Sequence, residues 1–170
     1  MRAFVAIFPP KEIIDYVEGI KEKLFNLPLK AKFVERENLH ISITFLGEID
    51  EKKYLPQLDE IAKLFKKFEV GLNSIKLIPN ESFVRVIALN VFDENNSITK
   101  IAEKIGGDYK EPHLTLARVK EIFDRKTFKE KIALIKTERK KFNVEKISFV
   151  ESILTREGPI YKVVKDFPLL

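Results

Sequence analysis

Eight stretches of the chain are dense in Val, Ile and Phe, and Pro, Gly, Asn or charged residues bound them. Such runs are typical of β-strands, in which side chains alternate between two faces. The pattern predicts strands at residues 2–8, 31–36, 39–46, 68–78, 82–91, 113–119, 142–154 and 160–167.

Four other stretches carry apolar residues at every third or fourth position, which is the spacing of an amphipathic α-helix. The first stripe consists of Ile13, Val17, Ile20 and Leu24. The others lie at residues 55–68, 98–105 and 128–135, and two glycines end the third. Strands and helices that alternate in this way predict an α+β fold.

The order of these elements repeats along the chain. His40 and His113 are 73 residues apart, each on a predicted strand, and a helix and two strands follow each of them. The repetition predicts a single bilobal domain over residues 1–170 with pseudo-twofold symmetry. Each of the two duplicated lobes would pack a mostly antiparallel sheet on helices, and the sheets would face each other across a central cleft.

Composition narrows the class of protein. Cysteine is absent, so disulfides and thiol nucleophiles are excluded. No apolar stretch approaches the ~20 residues that span a bilayer, and we expect a soluble, cytoplasmic monomer without membrane contact. The net charge of +5 slightly favours an anionic ligand.

The two histidines are the only ones in the chain, and each precedes a hydroxyl side chain by two residues. Strand alternation places His40, Ser42 and Thr44 on one face of the first motif strand, 39–46. It places His113 and Thr115 together in the same way on the second, 113–119. A single such triplet is a weak signal, whereas its occurrence in both apparent repeats indicates a shared site.

Two imidazoles on opposite walls of a cleft suit acid–base catalysis. A neutral histidine accepts a proton from water while a charged one donates a proton to the leaving oxygen. Displacement at phosphorus needs these groups on opposite sides of the phosphorus atom, and Ser42 and Thr115 would bind the non-bridging oxygens. The residues alone leave open which histidine is the acid. Zinc would require more ligands than the sequence supplies, so we expect no metal and no cofactor.

Longer segments around the motifs resemble one known group. The stretches "FVERENLHISITFLGEI", "VRVIAL", "PHLTLARV" and "GPIY" are similar to the two-histidine phosphoesterases. Within that superfamily they most resemble the RNA 2′,3′-cyclic phosphodiesterases, which were first described as 2′-5′ RNA ligases. The similarity covers nearly the whole chain.

The resemblance implies a metal-independent hydrolase that opens the 2′,3′-cyclic phosphate at an RNA end to a 2′-phosphate. By this likeness His40 is the proton donor and His113 the proton acceptor. A reversible, ATP-independent 2′-5′ ligase reaction is implied as well. Two alternatives stay open: a cyclic phosphodiesterase acting on a small nucleotide, and a non-catalytic module that binds RNA ends.

Four further side chains are candidates for contact with a phosphate or with RNA. Arg118 matches an arginine that the family often carries, but five residues after His113 it belongs to the apolar face unless the strand ends or bulges near Ala117. Arg85 is interpreted as half of a structural ion pair, with contact to a phosphate or the RNA backbone as the alternative. Phe45 and Tyr161 are interpreted as core residues, with stacking on an RNA base as the alternative.

Overall fold

Nine strands and four helices build the computed structural model, which describes residues 1–170. The strands are β1 (Arg2–Ile7), β2 (Leu29–Phe33), β3 (Ile41–Glu48), β4 (Phe68–Asn80), β5 (Phe83–Phe92), β6 (His113–Ile122), β7 (Lys140–Val144), β8 (Lys146–Thr155) and β9 (Gly158–Pro168). The helices are α1 (Lys11–Lys23), α2 (Glu51–Ala62), α3 (Ser97–Ile105) and α4 (Arg125–Ala133).

The sheet has two antiparallel halves. One has the order β3-β1-β8-β9, the other β7-β4-β5-β6, and β2 adds to β6. The halves join at one residue pair, Ile41 with Leu114, each of which directly follows a histidine. Beyond that pair β6 is bonded to β2 instead, so β3 and β6 separate and leave a cleft. The predicted α+β fold with two antiparallel lobes is confirmed.

The helices begin and end where local side chains satisfy their free backbone groups. The Asp50 carboxylate accepts the Lys52 N–H at the start of α2, and Asp124 accepts the Thr127 N–H in α4. Gly106 ends α3 with a positive φ of 85°. The helix α2 ends at Ala62, earlier than the apolar stripe at 55–68 predicted, and Phe68 belongs to β4 instead.

The main core lies between the sheet and the helices and contains 32 buried apolar residues. The strand β1 is buried on both faces: Val5 and Ile7 join this core, whereas Phe4 and Ala6 form a second, small cluster with Val150. This second cluster packs against Phe8 and Tyr161, so an apolar wall stands behind the cleft in one half of the molecule.

Several strand boundaries differ from the sequence-based prediction. The strand predicted at 31–36 is Leu29–Phe33. The first motif strand begins at Ile41, after a short 3₁₀ turn over Arg36–Asn38, instead of at Leu39. The stretch predicted as one strand at 142–154 is broken at Glu145. Its two parts enter different halves of the sheet, since β7 pairs with β4 and β8 pairs with β1. No helix is long and apolar enough to span a membrane.

Candidate active site

A β-bulge interrupts the first histidine strand three residues after its histidine. In the pairing of β3 with β1, Ser42 is opposite Ala6 and Thr44 is opposite Val5, so Ile43 has no partner. An unpaired residue reverses the side-chain alternation beyond it. The small Ala6 opposite Ser42 leaves room for the hydroxyl on the cleft side.

The second histidine strand contains the same bulge at the same position. In the pairing of β6 with β5, Thr115 is opposite Ala88 and Ala117 is opposite Ile87, so Leu116 has no partner. The hydroxyl residue again faces an alanine. Two strands that are far apart in the sequence thus share one local geometry, which agrees with the repetition in the sequence.

The bulges decide which side chains reach the cleft. The interpretation of Thr44 as a cleft residue is wrong: its side chain is fully buried and donates to the Gly106 carbonyl at 2.7 Å. Its neighbour Phe45 lines the cleft instead and is 46% exposed, so its interpretation as a core residue is wrong too. On β6 the bulge turns Arg118 to the cleft side. A bulge at this point was the condition under which the sequence analysis allowed Arg118 to contact a phosphate.

One cleft contains all five residues that the sequence singled out. His40, Ser42, His113, Thr115 and Arg118 line it together. The lining also includes Phe45, on β3, and basic, acidic and aromatic side chains on three further segments: Lys32, Glu35, Tyr109, Lys110, Glu111, Glu157 and Tyr161. A cationic group and two hydroxyls beside two imidazoles are the elements that phosphoester hydrolysis requires.

Backbone carbonyls fix the tautomer of both rings. His40 Nδ1 donates to the Asn38 carbonyl at 2.6 Å, and His113 Nδ1 donates to the Glu111 carbonyl at 3.0 Å. A carbonyl only accepts, so in each neutral ring the proton is on Nδ1 and Nε2 holds the free lone pair. In His40 this Nε2 accepts the Ser42 hydroxyl at 2.9 Å.

Aromatic rings surround His40 on three sides. The centroid of its ring is 5.1 Å from that of Phe4, 5.9 Å from that of Phe8 and 5.3 Å from that of Tyr161. The pKa of His40 is lowered to about 4, chiefly by burial among these rings, and the positive charges of Arg118 and His113 contribute to the shift. The hydrogen bond to Asn38 opposes this shift. A pKa of about 4 favours the neutral form of His40 at pH 7.

Charged side chains instead of aromatic rings surround His113. Burial is again the largest cause that lowers its pKa, and the positive charges of Lys76, Arg118 and Lys110 contribute. Lys76 forms an ion pair with Glu111 at 3.1 Å, next to the carbonyl that holds the imidazole. In both histidines the lowered pKa favours the neutral ring.

Asn38 connects the first histidine to the hairpin of β8 and β9. Its main-chain carbonyl holds the His40 ring, and its side-chain Nδ2 donates to the Pro159 carbonyl at 3.1 Å. Lys32 Nζ donates to the Glu157 carbonyl in the same hairpin. These bonds hold the strand that carries Tyr161 against the His40 ring. Sequence reasoning missed Asn38, although its position two residues before the histidine was available as a signal.

The interpretation of Arg85 as half of an ion pair is wrong. Its guanidinium lies 5.0 Å from the Phe83 ring centroid, and no carboxylate is within salt-bridge distance. Arg85 does not line the cleft, whereas Arg118 does.

An antiparallel α+β fold that brings two histidine–hydroxyl pairs to one cleft defines a phosphoesterase of the two-histidine type. The model of the family "LigT like Phosphoesterase" matches residues 7–88 and 94–161. The chain therefore belongs to the LigT-like phosphoesterases.

Known proteins are similar to this chain over nearly its full length, in sequence and in fold. An RNA 2′,3′-cyclic phosphodiesterase of Methanocaldococcus jannaschii is 35% identical over 98% of this chain and 100% of its own. One from Aquifex aeolicus is 31% identical, with 99% and 97% covered. The crystal structure of the Thermus thermophilus protein TT0787 superposes with a TM-score of 0.81 at 26% identity, covering 99% of this chain and 98% of that one. Escherichia coli LigT complexed with phosphate shares the fold, with a TM-score of 0.72 at 22% identity and coverage of 99% and 96%.

Proposed function

We propose that the protein hydrolyses the 2′,3′-cyclic phosphate at the 3′ end of RNA and leaves a 2′-phosphate. One observation carries the proposal: two imidazoles, each with Nδ1 bonded to a backbone carbonyl, line one cleft together with two hydroxyls and Arg118. The similar proteins named RNA 2′,3′-cyclic phosphodiesterase support the choice of substrate.

In the proposed reaction His113 Nε2 accepts a proton from water as the water oxygen bonds to phosphorus. The bond from phosphorus to O3′ breaks, and protonated His40 Nε2 gives its proton to O3′. Arg118, Ser42 and Thr115 bind the non-bridging oxygens, where negative charge accumulates. Water and one phosphodiester bond are consumed, and a 2′-phosphate and a 3′-hydroxyl are formed.

The low pKa of His40 means that its proposed role as the proton donor requires protonation when the substrate binds. A proton donor must be charged, and a pKa of about 4 favours the neutral form of His40 at pH 7. A bound phosphodiester anion would offset the positive charge of Arg118 and raise the pKa of His40. Protonated Nε2 no longer accepts from Ser42, so that hydroxyl becomes free to donate to the phosphate. Proton uptake is therefore coupled to substrate binding.

The test is hydrolysis of an oligonucleotide with a terminal 2′,3′-cyclic phosphate, in EDTA, with the product ends identified by mass and by chromatography. We expect a 2′-phosphate product, and a 3′-phosphate product would contradict O3′ as the leaving group. A parallel assay with 2′,3′-cyclic AMP separates the alternatives. Turnover of the mononucleotide alone indicates a small-nucleotide enzyme, and turnover of neither indicates a module that binds RNA ends.

In the proposed ligase activity a 5′-hydroxyl end takes the place of water and no ATP is needed. His113 accepts the proton of that hydroxyl as O5′ bonds to phosphorus, the bond from phosphorus to O3′ breaks, and His40 gives its proton to O3′. Cleavage of the 2′-5′ bond is the reverse of this step, and in it the two histidines exchange roles. Joining of two oligonucleotides, one with a cyclic phosphate and one with a 5′-hydroxyl, tests the ligase activity. We further propose that residues 1–170 form one domain and that the protein is a monomer in the cytoplasm. Sedimentation measures the oligomeric state.

A further inference from the structure

We propose that a second cleft, at the far end of β6, binds the phosphodiester chain of RNA away from the reacting end. The choice of RNA as the ligand rests on the proposed function, whereas the site itself rests on the shape and the charges of this cleft. Residues 81–84, 119–122, 125, 126, 128 and 129 line it, and it encloses about 580 Å³. This distal cleft shares no lining residue with the cleft of the histidines.

The distal cleft exists because β5 and β6 stop pairing before either strand ends. Their last pair is Val86 with Arg118. Beyond it β6 continues to Ile122 beside β2, and the other end of β5, at Phe83, lies beside β4. The cleft of the histidines forms in the same way, where β3 and β6 separate. The two clefts therefore open at opposite edges of one strand.

Two β-bulges bring cations to the distal cleft. Lys120 has no partner in the pairing of β6 with β2, and Arg85 has none in the pairing of β5 with β4. A bulge re-aims the side chains around it. Lys120 lines the distal cleft, and the Arg85 guanidinium lies over the ring of Phe83, which lines it too. As at the histidines, irregular pairing decides which side chains reach the opening.

The charge of the distal cleft suits a polyanion. Four exposed cations line it, one on β6 and three on α4: Lys120, Arg125, Lys126 and Lys129. No carboxylate is within salt-bridge distance of any of them, although Glu81 and Glu121 also line the cleft. Four cations against two carboxylates leave an excess of two positive charges. Phosphates bind such cations without first breaking an ion pair.

An aromatic ring and the position on β6 favour an RNA chain as the polyanion. Phe83 is 52% exposed, and RNA bases that are free of pairing stack on aromatic side chains. Lys120 follows Arg118 by two residues, a rise of about 7 Å along the strand. An RNA of several nucleotides is therefore long enough to place its end beside Arg118 and its chain in the distal cleft.

Equilibrium binding tests the site without requiring turnover. A single-stranded RNA decamer and a dinucleotide, both with a 2′-phosphate end, share the reacting end and differ in the length of the chain. By fluorescence anisotropy we expect the decamer to bind more tightly. Lys126→Gln/Lys129→Gln should reduce the slope of log Kd against log salt by about 1.4 for the decamer, because each phosphate contact on a single strand contributes about 0.7.

Two further variants separate a site from general attraction. Phe83→Ala should weaken binding of the decamer about tenfold through the loss of stacking. Lys52→Gln/Lys53→Gln is the matched control, because it removes the same charge from exposed, unpaired lysines of α2 that line neither cleft. The control should leave the salt slope unchanged. None of the three variants should alter binding of the dinucleotide.

The inference is overturned if the decamer binds no more tightly than the dinucleotide, or if the control reduces the salt slope as much as Lys126→Gln/Lys129→Gln. It is also overturned if the latter variant weakens binding of the dinucleotide, since the distal cleft would then hold a nucleotide and not a chain. Failure of the proposed function looks different: the cyclic phosphate would not be hydrolysed, while binding of the decamer would still depend on Lys126 and Lys129.

Discussion

The strands β3 and β6 have the same backbone design and different surroundings. Each places its histidine with Nδ1 on the carbonyl two residues earlier, its hydroxyl opposite an alanine, and a bulge one residue after that hydroxyl. Aromatic rings enclose the imidazole of β3, whereas three positive side chains influence that of β6. Symmetry of the backbone therefore supplies two similar bases, and the side chains around them make the bases unequal.

This inequality matters for a reaction that needs one donor and one acceptor. A site with two equivalent imidazoles would have no preferred direction for the displacement. Enclosure by Phe4, Phe8 and Tyr161 disfavours a charged His40. Four predictions test the comparison of the two strands, beginning with the largest expected effect.

Removal of either imidazole should abolish most of the activity. For His40→Ala and His113→Ala we expect losses of about 10²–10⁴-fold in kcat on a cyclic-phosphate oligonucleotide, because each variant loses one proton transfer. Circular dichroism should show both variants folded. A folded variant of either kind that keeps near the full rate would mean that the two strands do not divide the chemistry.

Arg118, five residues after His113, should act both on the phosphate and on the two histidines. Arg118→Met should lower kcat by about 10²–10³-fold, since the negative charge on the phosphate oxygens loses its cationic partner. It should also raise the pKa of His40 and of His113, because the charge of Arg118 lowers both. Ring-proton NMR titration measures these values. Unchanged histidine pKa values would show that Arg118 does not act on the imidazoles.

The stability of the protein should fall in acid because of His40. Its folded pKa of about 4 is below the unfolded value of 6.5, so the unfolded chain binds the proton first. The contribution is complete above pH 6.5 and is lost as the pH falls towards 4, by up to about 3 kcal/mol. Urea unfolding at pH 7, 5.5 and 4.5 measures it. The His40→Gln variant should lose less stability over this range, and equal losses in both proteins would contradict the low pKa.

The smallest effect is expected at Asn38. In Asn38→Ala and Asn38→Asp the donor to the Pro159 carbonyl is lost, a bond of about 1 kcal/mol, and we expect about a fivefold fall in kcat. A looser hairpin would also let water reach His40 beside Tyr161 and raise its pKa, which NMR titration detects. An unchanged pKa in a slower variant would assign Asn38 a purely structural role.

Residue patterns predicted the strand and helix order, because each pattern is local. The histidine–hydroxyl pairs were predictable for the same reason: ahead of the bulge, strand alternation still holds. Beyond the bulge it fails, and Thr44 and Phe45 exchange faces relative to the prediction. The break at Glu145 was not predictable either, because β7 and β8 follow each other in sequence but join different halves of the sheet.

By itself the sequence determined the α+β class, the two motif strands and the pairing of each histidine with a hydroxyl, since spacing along one strand fixes these relations. Only the tertiary structure decided that Arg118 and Phe45 reach the cleft, that three aromatic rings enclose His40, and that Asn38 connects it to the last hairpin. The physical reason is that bulges and ring contacts depend on pairing between strands far apart in the chain, which no local period encodes.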